Sequence, residues 1–172
     1  AFVLHAVERP EPLDEVLDGI HERVAEADHF EFYWFPHTDT ALTKTDTRLP
    51  ESAVRHPLPV VGKWLDETVL SNGVYRVACA VGTAVPAVIP PFSRLATKLT
   101  GNREYTDLSH RVLTQSRTVR FREMEYALPE AEVVPAFRQL QELIERRGWR
   151  ISFPVEVRFA AADDRWLSTA HD

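Results

Sequence analysis

An α+β fold, with an antiparallel or mixed sheet and helices packed on one face, is what three features of this 172-residue sequence predict. Strict alternation of apolar and polar residues marks strands, most clearly in His29-Phe30-Glu31-Phe32-Tyr33-Trp34. Helical spacing marks Leu13, Val16, Leu17, Ile20 and Val24, and again Val133, Phe137, Leu140 and Ile144. The strands that separate these helices are spaced for hairpins, which join antiparallel neighbours.

Along the chain, Phe2 to Val7 is apolar and β-prone, and reads as a strand that stops at Pro10-Glu11-Pro12. The helix from Leu13 carries Asp14 and Glu15 in its first turn, where the helix dipole favours acids. His29 to Phe35 is a strand with Phe30, Phe32 and Trp34 on one face, closed by Pro36. Ala41 to Thr47 is a threonine-rich alternating run, suited to return as its hairpin partner. Trp64, Leu65 and Val69 mark one or two helices that break near Asn72-Gly73. Val74 to Leu99 reads as helical, interrupted by Pro86, Pro90 and Pro91. Asp107 to Leu113 fits either class. Thr118 to Leu128 alternates as a strand until Pro129. The helix through Phe137 ends on Arg146-Arg147-Gly148, cations followed by glycine, as helix C-termini prefer. Ile151 to Ala160 is a strand, followed by a turn at Asp163-Asp164 and a short strand at Trp166-Leu167-Ser168.

Composition narrows the function classes. A formal net charge of -6 lacks the basic footprint of a nucleic-acid binder, and 44% hydrophobic residues fit a globular chain. The single cysteine, Cys79, forms no internal disulfide framework and sits in an apolar run, as a buried inert thiol would. The uncharged stretch from Val77 to Ser93 is shorter than the ~20 residues of a membrane span and contains three prolines, so it reads as buried or partner-facing. The start Ala1-Phe2-Val3 is no signal peptide, and the expected location is cytoplasmic, with peripheral membrane association left open.

Among chemistry-bearing residues, Glu156 and Arg158 stand out. Two apart on a strand, they project from one face while Val155 and Val157 face the core. Such a pair is either a solvated ion pair worth under ~1 kcal/mol or a carboxylate and a rigid guanidinium fork that fix a polar substrate. His21, His29 and His37 recur at intervals of eight, which matches no metal-ligand spacing, so no metal is expected. His37 and Asp39 flank a turn, as turn residues or as an acid–base couple. There is no nucleophile elbow and no glycine-rich phosphate loop, since the six glycines stand singly. Arg94 to Arg122 is locally basic and reads as a solvated charged face or one turned to an anionic partner.

Three segments together resemble a known family. They are His29 to Pro36, the R-F-x-E-M-E-Y-x-L-P stretch within Val119 to Pro129, and Phe153-Pro154-Val155-Glu156-Val157-Arg158 with its continuation Ala161 to Ser168. In this order and at these separations they resemble the C-terminal, substrate-side domain of the sugar-1,4-lactone oxidases. That family contains D-arabinono-1,4-lactone oxidase and L-gulono-1,4-lactone oxidase or dehydrogenase, with alditol oxidases as relatives.

The resemblance implies the cap domain of a vanillyl-alcohol-oxidase-type flavoprotein, occupying residues 1–172, with the FAD-binding domain and a later H-W-G-K motif outside this sequence. It implies an FAD-dependent oxidation of D-arabinono- or L-gulono-1,4-lactone by hydride transfer to flavin, with oxygen or a cytochrome as electron acceptor. Glu156 and Arg158 match the family's E-x-R strand residue for residue and would line the active site. The arginine would hold the substrate oxygen, and the glutamate would orient the arginine and a substrate hydroxyl. FAD would be bound mainly by the other domain of the same polypeptide, so the isolated chain is expected to be inactive. The apolar stretch near Val77 to Phe92 would then meet the flavin domain, another chain or a membrane surface. An alditol (xylitol-type) oxidase cap and a non-catalytic α+β ligand-binding module are the alternatives.

Overall fold

The structure is a computed structural model that describes residues 2–59, 73, 75–114, 120–164, 166, 168 and 170. Strands β1 (Val3–Pro12), β2 (His29–Trp34), β3 (Thr40–Leu49), β4 (Arg103–Leu108) and β5 (Val155–Arg158) form one sheet in the order β4-β1-β3-β2-β5. Every pairing is antiparallel, so the sheet is not mixed. Between the strands run helices α1 (Leu13–Asp18), α2 (Ile20–Glu26), α3 (Tyr75–Ala84), α4 (Ile89–Leu99), α5 (Ser109–Val112) and α6 (Val133–Arg147).

The pleat of β2 decides which face is core. Phe30, Phe32 and Trp34 point to one side, where Leu13, Val16, Leu17 and Ile20 of the first two helices and Phe137 and Ile144 of α6 cover them. Phe137 is the centre of this layer, edge-on to both Phe32 (5.5 Å) and Trp34 (5.3 Å), the offset geometry that aromatic quadrupoles favour. Helix α6 stops where the sequence predicts. Gly148 takes a left-handed φ of 63°, its N–H donates to the Glu145 carbonyl, and the Trp149 N–H donates to that of Ile144, a Schellman closure. At the sheet's margin, Arg23 of α2 grips Glu11 of β1 through two bonds of 3.0 and 2.8 Å. Burial alone would raise the Glu11 carboxyl, but Arg23 and the Thr43 hydroxyl hold it below its ordinary value.

The β2–β3 hairpin forms as expected, through a tight turn in which His37 adopts a left-handed φ of 74°. The turn is fixed by the Trp34 indole donating to the Thr38 carbonyl (2.8 Å) and by the Thr38 hydroxyl donating to that of Phe35 (2.7 Å).

Several expectations need correction. Strand β1 does not stop before its prolines but runs through Pro12. The Thr106 N–H turns away from β1 to the His56 carbonyl (3.0 Å), so His5 and Thr106 are a non-bonded pair. The even-numbered residues of β1 are then those whose amides face β4. Pro10 and Pro12 belong to that series and lie beyond the Glu8–Arg103 pair, where no strand among the described residues asks for an N–H. Residues 120–128 form no strand, while Thr118 and Val119 lie outside the described residues. Met124 and Tyr126 are largely exposed, so the alternation there has no buried face to act on. The last strand is only Val155–Arg158, because Pro154 offers no amide and β2 pairs it only from Glu31 to Trp34. Trp166 sits in a turn and is fully exposed, not in a strand. The helices expected around Trp64 to Val69 fall outside the described residues.

The uncharged stretch from Val77 folds as α3, a tight 3₁₀ turn at Pro86–Val88 and the start of α4. It is part buried and part open, since Ile89 and Ser93 are enclosed whereas Val77, Val81 and Val85 face outward. Cys79 is half-buried, not enclosed, with its Sγ 3.8 Å from the Ser152 hydroxyl. Among the described residues no helix is long and apolar enough to cross a membrane.

Phe137→Ala removes the ring on which two layers of the core meet and is expected to cost about 3–5 kcal/mol of folding stability. Equilibrium denaturant unfolding checks this, and a loss below about 1 kcal/mol would show that α6 is not packed as described.

Candidate active site

Alternation along Val155–Arg158 sends Val155 and Val157 into the core and leaves Glu156 and Arg158 on the opposite face. Arg158 Nε lies 3.7 Å from Glu156 Oε1, and its Nη2 lies 3.8 Å from Glu125 Oε1. Both distances are ion pairs without hydrogen-bond geometry. The guanidinium is well exposed, so its donors remain available to a ligand.

Register supplies what surrounds the pair. Glu31 of β2 stands opposite Arg158, and Tyr33 stands opposite Glu156. Glu31 in turn faces Lys44 of β3, Lys44 faces Glu8 of β1, and Glu8 faces Arg103 of β4. A single row therefore crosses all five strands as Arg158, Glu31, Lys44, Glu8, Arg103, with the charge alternating at every step. Directly opposed residues on one face bring their Cβ atoms to roughly 4.5–5.5 Å, close enough for each charge to feel the next.

The row is most enclosed at its centre. Lys44 lies 3.5 Å from Glu31 and 3.8 Å from Asp46, and its Nζ donates to the Val112 carbonyl at 2.9 Å. Helix α5, which carries Val112, packs with Leu4 and Ala6 over this face, so the helices are not confined to one side of the sheet as expected. Beneath it Asp46 is buried, and its Oδ1 has no hydrogen-bond partner among the described residues. Burial pushes the Asp46 carboxyl up to about 6, with Lys44 pulling it down and Glu31 and Glu8 adding to the rise. Burial, then the neighbouring Glu8, also pushes the Tyr105 hydroxyl well above its usual range as it donates to Glu8 Oε1 at 3.0 Å.

The other sequence candidates lie elsewhere. His37 sits at the β2–β3 turn, where Arg94 Nε donates to its carbonyl at 3.2 Å. Burial and the nearby Arg150 lower its imidazole below the ordinary value, which favours the neutral ring. Within the basic stretch, Arg103 pairs with Glu8 (3.9 Å) and Arg111 with Asp107 (3.7 Å), while Arg117 lies outside the described residues. Sequence reasoning missed Glu31, Tyr33, Lys44 and Asp46. The alternation of β2 and β3 places them opposite the aromatic face, and that signal was present in the sequence. Their juxtaposition with Glu156 and Arg158 depends on register and strand order.

Comparison with known proteins shows the family. The profile of the D-arabinono-1,4-lactone oxidase family matches residues 1–172. This chain belongs to that family. An L-gulono-1,4-lactone dehydrogenase of Mycobacterium tuberculosis is 38% identical over 170 residues, 99% of this chain and 39% of the relative. L-gulonolactone oxidases of Scyliorhinus torazame and Bos taurus are 26% and 25% identical, over 99% and 97% of this chain and 38% of each relative. The chain thus spans about two-fifths of the length of these relatives. The relatives in this family are named as lactone oxidoreductases, which does not favour the non-catalytic module.

Asp46 gives a pH test of the enclosed centre. Its folded value of about 6 exceeds the unfolded one, so the folded state binds the extra proton between about pH 4 and 6. Stability therefore falls as pH rises through that window, by up to about 3 kcal/mol, and the penalty persists above it. Asp46→Asn is expected to stabilise the protein at about pH 7.5 and to match the parent near pH 4 in unfolding experiments. Equal stability at both pH values would place Asp46 in contact with solvent.

Proposed function

We propose that this chain is the substrate-side cap domain of an FAD-dependent, vanillyl-alcohol-oxidase-type oxidoreductase that oxidises D-arabinono- or L-gulono-1,4-lactone. One observation carries the reading beyond family membership. Glu156 and Arg158 stand side by side on the sheet face that looks away from the aromatic core, with the guanidinium exposed.

The residues fit the substrate end of such a site and not the nucleotide end, because the glycines stand singly and no glycine-rich turn offers a phosphate cradle. FAD would be held mainly by another part of the polypeptide. When bound, it supplies the acceptor for the hydride that leaves the substrate carbon bearing a hydroxyl. Arg158 binds the oxygen of that hydroxyl and stabilises the negative charge that grows there as its proton is released to solvent. Glu156 orients the guanidinium and accepts a hydrogen bond from a neighbouring hydroxyl of the sugar lactone, fixing which carbon is presented. Oxygen or a cytochrome would be the electron acceptor.

Arg158→Ala in the flavin-loaded intact protein is expected to slow anaerobic flavin reduction by the lactone about 10²-fold or more. Unchanged reduction kinetics in a folded variant would return the pair to a structural role.

A further inference from the structure

We propose that Glu125 is a specificity-determining residue that, with Glu156, keeps carboxylate ligands off Arg158 and so reserves the guanidinium for an uncharged lactone. The inference rests on the reading of Arg158 as a substrate-side group and deepens it.

An exposed arginine on an open sheet face is by default a site for carboxylates. Its planar fork matches their two oxygens, and a charge-assisted bond is roughly twice as strong as one to a neutral oxygen. A sugar lactone offers only neutral hydroxyl, ring and carbonyl oxygens. Its hydrolysis product is an open-chain hydroxy acid, which carries the same hydroxyls and a carboxylate. Left alone, Arg158 would favour the acid. It is not left alone, because two carboxylates approach different nitrogens of its guanidinium. Glu156 Oε1 lies 3.7 Å from Nε, and Glu125 Oε1 lies 3.8 Å from Nη2. Two negative charges thus stand against one positive in the ion pairs that Arg158 makes among the described residues. Neither contact reaches hydrogen-bond length, so the N–H groups keep the capacity to donate to a neutral oxygen. A third carboxylate would meet repulsion from both glutamates.

Glu125 reaches this point from outside the sheet. Residues 120–128 join no strand, but the Phe121 ring packs on Phe153 with centroids 4.6 Å apart, which ties the stretch to the residues leading into β5. The Glu125 side chain is 78% exposed, so water screens its attraction to Arg158 and the pair contributes little to stability. A ligand that binds Arg158 displaces some of that water, and the repulsion of a second anion then counts for more. A charge that does little for the fold can therefore still select between a neutral ligand and its acid.

Competition in the intact, flavin-loaded protein tests the assignment. The readout is anaerobic flavin reduction by L-gulono-1,4-lactone, with L-gulonate, the open-chain acid, as competitor at fixed ionic strength. Glu125→Gln, which keeps shape and removes charge, is expected to strengthen competition by L-gulonate about fivefold. The lactone's own half-saturation should change by less than about twofold, because the lactone carries no charge. Glu125→Asp, which retains the charge, should stay near the parent. In an Arg158→Ala background Glu125→Gln is expected to bring no gain, because without the guanidinium the acid has nothing to bind there. Three results overturn the specificity role: competition unchanged or absent in Glu125→Gln, an equal shift for lactone and acid, or an equal gain in both backgrounds. A slow Arg158→Ala beside any of them leaves the proposed function intact. Normal reduction by Arg158→Ala overturns both.

Discussion

The pleat of β2 is the constraint on which the rest depends. Burying Phe30, Phe32 and Trp34 under α1, α2 and α6 obliges Glu31 and Tyr33 to face the other way. Antiparallel pairing then transmits that choice to both neighbours. Thr43 and Ala41 follow the aromatic side, Lys44 and Asp46 the polar one, and β5 must turn Val155 and Val157 inward and Glu156 and Arg158 outward. A slip of one residue anywhere in β2 would invert the whole arrangement, filling the core with charge and exposing the aromatic stripe. Hydrophobic burial thus fixes the polar face as firmly as it fixes the core.

That polar face is not an ordinary solvated surface. Five charges alternate in register across five strands, and the central lysine is nearly enclosed by α5. Enclosing Lys44 and Asp46 is costly, as the raised Asp46 carboxyl and its unpartnered oxygen show. A chain selected for stability alone could replace these groups by apolar residues of similar volume at little loss. The row ends at Arg158 on β5, whose guanidinium is exposed. Each of the three inner charges, Glu31, Lys44 and Glu8, has an opposite charge in register on either side.

Much of this was legible in the sequence. The 3.6-residue spacing of Leu13 to Val24 and of Val133 to Ile144, the alternation of His29 to Trp34 and the Arg146-Arg147-Gly148 stop all report local rules that tertiary packing respects. The pair Glu156 and Arg158 was readable for the same reason, since strand alternation is local. What escaped the sequence depended on pairing. Pro10 and Pro12 are tolerated in β1 only because β4 ends before them, which no property of residues 1–12 reveals. Arg120 to Leu128 alternates but joins no strand among the described residues. Arg103 to Leu108 became a strand by lying along β1, and Glu31 became Arg158's neighbour only once β5 docked on β2 rather than on β4.

The most direct test of the account is the anaerobic visible spectrum of the intact, flavin-loaded protein before and after addition of L-gulono-1,4-lactone or D-arabinono-1,4-lactone. Bleaching of the oxidised flavin band by either lactone is the predicted result. A folded protein whose flavin band is unchanged by both would contradict the claim that this face receives a sugar lactone for oxidation.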